Sequence, residues 1–321
     1  MTDIEAARKL WLAEYLQFDE FALHLKSLLG EAVKRAGIRA QVDSRAKALD
    51  SLIKKLILKP THTYESLSDK AGVRVIVRYK HEINPVLEIA RGMFDRSEPE
   101  NMIDRMKPDT FGYLSVHADV RLKAGDALIA RFPRDKFSAE IQVRTLAQHL
   151  WAEMAHDTVY KSSALVRPLN SAVQRRIYIL AGVVELADEE FDRIDHEMPT
   201  VPEFRVLKSL ERNYYKLTVR RSDPELSLDV IRLLLPLYGQ EPGEVAAHLD
   251  HFFSENQDML HDVYSKAEDL AKQSAFLFQP EALMIFDLLQ TERLTVRDAW
   301  IPVYPFEELE RIANTFGISF D

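Results

Sequence analysis

Apolar positions along this chain change their period several times, and each change marks an element. Over residues 4–36, Leu10, Leu12, Tyr15, Leu16, Phe21 and Leu23 fall in helical clusters. Residues 46–58 form a second amphipathic helix, which Pro60 ends. GVRVIVRY, residues 72–79, then alternates with β-branched side chains and reads as a strand. Val73, Val75 and Val77 point one way, and Arg74, Ile76 and Arg78 the other. HEINPVLEIARGMF, residues 81–94, returns to helical spacing with Pro85 in its first turn. Three further strand patterns follow: FGYLSVHADVRL at 111–122, LIARF after Gly125, and AEIQVRT at 139–145. The last runs straight into a helix, LAQHLWAEMAHDTVYK, with Leu146, Leu150, Trp151 and Met154 on its apolar side.

After Pro168 no convincing strand pattern occurs. Residues 170–197 read as one long helix, and MPTVPEF (198–204), with two prolines, as a linker. From 205 to 321 the chain is helical, with breaks at Asp223-Pro224, Pro236, Gln240 to Gly243 and Pro280. The pattern predicts an α/β domain over residues 1–200 and an all-helical domain over 201–321. A chain of 321 residues has the length for both, at roughly 150 residues per domain.

Composition narrows the function classes. The net charge of -9 argues against wholesale attraction to nucleic acid or anionic lipid, although a local basic patch can still hold phosphate. There is no cysteine, which excludes disulfides and thiolate metal sites. No apolar run reaches the roughly 18 residues of a membrane span. The N-terminus, MTDIEAARKLW, carries early acidic residues and no apolar signal core. The expectation is a cytoplasmic protein with no membrane partner.

Three stretches carry candidate chemistry. In DSRAKALDSLIKKL, residues 43–56, Lys47, Ser51 and Lys55 follow i, i+4 spacing and share a helix face. Arg45 stands just before that helix, near its positive end. A hydroxyl between two ammonium groups suits a polyphosphate, although a solvated basic face is the commoner meaning of such spacing. In LSDKAGVRVIVRY, Asp69 precedes the strand, where its carboxylate serves either a turn or a site at the sheet end. In AEIQVRT, Glu140, Gln142 and Arg144 share one face. Two carboxylates on neighbouring strands, facing a basic groove, can hold Mg²⁺ against a nucleotide. The polar face of FGYLSVHADVRL carries Tyr113, Ser115 and His117, a flat ring beside hydrogen-bonding groups.

Taken together these segments resemble the synthetase domain of the RelA/SpoT family of alarmone synthetases. The motifs stand in order: R-x-K-x3-S-x3-K from Arg45 to Lys55, D-x-A-G-x-R from Asp69 to Arg74, and G-Y-x-S-x-H from Gly112 to His117. E-I-Q-V-R-T follows at Glu140 to Thr145, and W-A-x3-H-x3-Y-K at Trp151 to Lys161. The resemblance implies a nucleotidyltransferase-like mixed sheet flanked by helices. It implies a (p)ppGpp synthetase, a GTP pyrophosphokinase-type transferase that moves pyrophosphate from ATP to the 3′-hydroxyl of GDP or GTP with Mg²⁺. On that resemblance Asp69 and Glu140 are the catalytic, metal-binding carboxylates. Arg45, Lys47, Ser51, Lys55 and Arg74 bind ATP, the two arginines holding the adenine. Tyr113, His117 and Gln142 bind the acceptor, with Tyr113 stacked on guanine.

Leu114, His149 and Ala155 depart from the commonest family residues, all on the acceptor side. Two other readings therefore stay open: a relative that pyrophosphorylates the tRNA 3′ end, and an inactive nucleotide-binding regulatory module. His156 and Tyr160 are placed to face the site or to pack at the sheet edge. His261-Asp262 and Glu268-Asp269 resemble the His-Asp hydrolase domain of long family members too faintly for an alarmone hydrolase to be expected. The helical domain has no assigned role, and a homo-oligomer is left open.

Overall fold

A computed structural model of the chain describes residues 4–59, 61–96, 100–101, 115–155, 171–218, 220, 222–266 and 274–320. They fall into two compact units, Met1–Val33 with Ile38–Arg193, and Lys34–Gly37 with Ile194–Asp321.

The first unit is a mixed sheet flanked by helices. Its strands are β1 (Gln41–Ala46), β2 (Ala71–Val77), β3 (Phe94–Arg96), β4 (Glu100–Asn101), β5 (Val116–Leu122) and β6 (Ala139–Thr145). The order is β1-β2-β6-β5-β3, with β4 also paired to β5. β2 and β6 are parallel, and every other pair is antiparallel. The helices are α1 (Ile4–Arg35), α2 (Leu49–Leu58), α3 (Ile83–Met93), α4 (Leu146–Ala155) and α5 (Ser171–Glu197). The parallel strands bury Val73, Val75, Val77, Ile141 and Val143 on one face, as alternation predicts. The opposite face presents Gly72, Arg74, Glu140 and Gln142.

Several expectations are corrected. The helix expected at 46–58 begins only at Leu49, and β1 precedes it. QVDSRA is polar and forms an edge strand with little burial, so hydrophobic alternation does not reveal it. Arg45 therefore lies on β1, opposite Gly72, and Lys47 sits in the connection rather than on the helix. LIARF is no strand: Gly125 takes a left-handed φ of 94°, Asp126 caps Leu128, and residues 127–130 form a 3-10 turn. On α1 the buried face is Trp11, Phe18, Phe21, Leu25 and Leu29, whereas Leu10, Leu12, Tyr15, Leu16 and Leu23 are exposed. Apolar residues surround that helix, so periodicity alone cannot choose its face. The choice falls to rings that meet Phe132 and Phe137, such as the Phe18–Phe137 pair at 4.7 Å.

The second unit is helical throughout its described residues. It holds α6 (Pro202–Thr218), α7 (Pro224–Leu234), α8 (Pro242–Glu255), α9 (Gln257–Ser265), α10 (Glu281–Thr291), α11 (Arg293–Trp300) and α12 (Phe306–Thr315). The expected linker is a 3-10 turn at 198–200, and α6 starts at Pro202, where a missing N–H costs nothing. A separate core of Val206, Tyr214, Ile231, Leu249, Ile285 and Trp300 holds these helices. His261 and Asp262 are exposed on α9, where Asp262 pairs with Lys266. Glu268 and Asp269 lie outside the described residues. No helix among the described residues is long and apolar enough to cross a membrane.

Candidate active site

The site grows from the polar face of the sheet. The parallel pairing of β2 with β6 sets Gly72 opposite Glu140 and Arg74 opposite Gln142. Antiparallel β5 places His117 opposite Gln142 and Asp119 opposite Glu140. β1 places Asp43 opposite Arg74. Four strands thus bring side chains far apart in sequence onto one surface. A cavity of about 540 Å³ opens there, lined by Arg45, Lys47, Ser51, Asp69, Arg74, Gln142, Arg144 and Glu153 among others.

Asp69 occupies the turn before β2. Its Oδ2 accepts hydrogen bonds from Lys47 Nζ and Lys55 Nζ, each at 2.7 Å. Burial pushes this carboxyl up, but the charges and hydrogen bonds of Lys47 and Lys55 outweigh it and hold the pKa below the usual range. Its other oxygen, Oδ1, is buried with no hydrogen-bond partner. An ionised carboxylate with one buried oxygen to spare is a suitable ligand for a hard cation.

Glu140 is the second carboxylate. His117 Nδ1 lies 2.9 Å from its Oε1, and Gln142 Nε2 donates to its Oε2 at 2.6 Å. Ser115 Oγ lies 2.6 Å from His117 Nε2. With Glu140 ionised, Nδ1 must carry a hydrogen, and Nε2 of a neutral ring then accepts from Ser115. Burial raises the Glu140 pKa, the bond and charge of His117 and the bond from Gln142 lower it, and the lowering prevails. Asp69 works against that lowering, so the two carboxylates feel each other across the site.

The N-terminus of α2 opens on the cavity. Its N-cap residue is Ala48, with no side-chain cap, so the first-turn N–H groups keep their donor capacity for a ligand. Ala48 and Ser51 both line the cavity. Leu52, Ile53 and Leu56 anchor the opposite side of α2 in the core.

α4 is oriented by a reciprocal cap. Gln148 N–H donates to Thr145 Oγ1 at 3.1 Å, and Thr145 N–H donates to Gln148 Oε1 at 3.0 Å. That phase brings Ala152 and Glu153 to the cavity. It leaves Leu146, Leu150 and Met154, residues of the helix's apolar side, exposed.

Arg45, Lys47, Ser51, Lys55, Asp69, Arg74, His117, Glu140 and Gln142 thus gather on one face or one cavity wall. Tyr113, with Leu114, His156, Tyr160 and Lys161, lies outside the described residues. Two carboxylates escaped the sequence reading. Asp119 stands two positions beyond His117 on the same strand face, a spacing that alternation signals. Burial, then Glu140 and Asp69, raise its pKa against a hydrogen bond from Ser68. Glu153 bridges two arginines that come from different strands, which no local pattern reveals.

Residues 44–164 match the family described as the region found in RelA / SpoT proteins. GTP pyrophosphokinase YjbM of Bacillus subtilis (strain 168) is 29% identical over 167 residues, which cover 49% of this chain and 72% of that protein. GTP pyrophosphokinase YwaC of the same strain is 31% identical over 125 residues, 37% of this chain and 57% of that protein. The crystal structure of the small alarmone synthetase 1 from Bacillus subtilis aligns with a TM-score of 0.50 at 24% identity. That alignment covers 60% of this chain and 100% of the other, and it bears on the fold alone.

Proposed function

Residues 44–164 are a RelA/SpoT region, and from that premise we propose that the protein is a pyrophosphokinase-type transferase that makes (p)ppGpp. ATP is the donor, and the 3′-hydroxyl of GDP or GTP is the acceptor. The observation that carries this reading is Asp69, clamped by Lys47 and Lys55 beside Glu140 at the edge of a basic cavity.

The chemistry needs positioning and charge neutralisation more than a covalent nucleophile. The acceptor 3′-oxygen attacks the β-phosphorus of ATP. The new O3′–Pβ bond forms as the bond from Pβ to the α,β-bridging oxygen breaks, and AMP leaves. Glu140 takes the 3′-hydroxyl proton. His117 and Gln142 hold its carboxylate in place and ionised. Lys47, Lys55, Ser51 and the first turn of α2 receive the donor phosphates. Arg45 and Arg74 flank the adenine, since a guanidinium plane stacks well on a base. Tyr113 stacks on the acceptor guanine. Asp69, through its spare Oδ1, and Glu140 are the residues to hold Mg²⁺. When bound, the ion neutralises charge on the transferring phosphates.

A transfer assay tests the reading. Purified protein is incubated with Mg²⁺ and ATP labelled at the β and γ phosphates, together with GDP, GTP or tRNA. Label on a guanosine nucleotide is the expected outcome. Label on tRNA alone keeps the donor chemistry and replaces the acceptor. Nucleotide binding without transfer to any acceptor leaves a regulatory module and sinks the enzymatic reading.

A further inference from the structure

Glu153 is tied to the donor cavity by an unusual set of contacts. Its Oε1 lies 3.3 Å from Arg74 Nη1, 3.4 Å from Arg144 Nη2 and 3.6 Å from His149 Nδ1. Arg144 is 1% exposed and stands near the C-terminal end of β6, an interior strand between β2 and β5, so burial holds this anchor in place. Oε2 takes no part in these contacts, and the Glu153 side chain is more than half exposed. With Ala152 it forms the α4 wall of the cavity that also holds Arg45 and Arg74. One carboxylate oxygen is therefore fixed, and its twin stands at the wall.

A carboxylate accepts hydrogen bonds and donates none. On the base of an adenine nucleotide the exocyclic 6-amino group is the sole N–H donor. An ion pair at an edge nitrogen of Arg74 leaves the guanidinium face for stacking. We propose that Glu153 is a specificity residue of the donor site, whose carboxylate accepts a hydrogen bond from the 6-amino group of the donor purine. The inference rests on the reading that the donor base lies between Arg45 and Arg74. Asp43, on β1, is another carboxylate of the cavity, but it already accepts from Gln41 at 2.7 Å and lies 4.0 Å from Lys26.

The test compares ATP with purine riboside 5′-triphosphate, which lacks the 6-amino group, in the full-length protein. Wild type is expected to lose roughly tenfold or more in kcat/KM with the des-amino nucleotide, the scale of one hydrogen bond to a charged group. Glu153→Ala should use the two nucleotides about equally. Glu153→Gln should give an intermediate ratio, because its amide oxygen still accepts. Thermal melts of each variant establish that the fold is kept. Equal use of both nucleotides by wild type, or an unchanged ratio in Glu153→Ala, overturns the inference and leaves the donor-site reading standing. A ratio that collapses in Asp43→Asn instead assigns the contact to Asp43 and also overturns it. Wild type that binds neither nucleotide overturns the donor-site reading, and the inference with it.

Discussion

Asp69 and Glu140 reach the same state by different means. Asp69 is kept ionised by two ammonium groups on one oxygen, and Glu140 by an imidazole and an amide on separate oxygens. Asp69→Ala leaves two lysines without their partner, and Glu140→Ala removes the base of the reaction, so each should lower transfer by at least about 10³-fold. Circular dichroism of the variants should match wild type. His117 lowers the Glu140 pKa, so His117→Ala must raise it. The acid limb of the kcat/KM profile should then move to higher pH, and activity should fall more at pH 6 than at pH 8. A profile that drops evenly at every pH would assign His117 to binding alone. Much at this scale was legible in the sequence. Alternation put Glu140 with Gln142, and helical spacing put Ser51 with Lys55. The Asp69 clamp was not legible, because Lys47 reaches it from a connection and Lys55 from a helix.

Elements impose phase, and phase decides which residues a site receives. The Thr145–Gln148 cap turns α4 so that Glu153 meets Arg74 and Arg144 while three long apolar side chains face outward. Thr145→Ala should cost about 1 kcal/mol of stability, as lost helix caps do. A denaturant melt measures it. α10 carries a different tension. Glu281 is fully buried, with Oε2 bonded to Ser227 and Oε1 without a partner. Burial pushes its carboxyl up to about 7. Its folded pKa lies above its unfolded one, so folding favours the protonated acid. Stability is then greatest below the ordinary glutamate range, and falls as pH rises from about 4.5 through about 7. The fall should be roughly 3 kcal/mol, read by amide exchange along α10 between pH 5 and pH 8. Glu281→Gln should flatten it.

At the scale of the whole chain, the Asp69–Glu140 site in the first unit and Glu281 in the second carry opposite pH dependence. Asp69 and Glu140 have depressed pKa values, so the stability they supply is present at neutral pH and lost as pH falls through those values. Acidification from pH 8 should first strengthen the surroundings of Glu281 and then weaken those of Asp69 and Glu140. Amide exchange followed separately in β6 and α10 should cross in protection, and parallel curves would contradict this account. Each unit has its own hydrophobic core, which permits such independence.

Local pattern in the sequence predicts the β2 and β6 strands, the long helices, the helical character of the described residues after 201, and the residue types of the site. These follow from local periodicity, which depends only on neighbours a few positions away. The tertiary structure alone decided which face of α1 is buried, that QVDSRA pairs as an edge strand, and which cation meets which carboxylate. Those outcomes depend on partners tens of residues distant. Lys55 finds Asp69, His117 finds Glu140 and Glu153 finds Arg74 because packing β2, β6 and their helices brings their atoms within a few ångströms. No spacing along the chain encodes that distance.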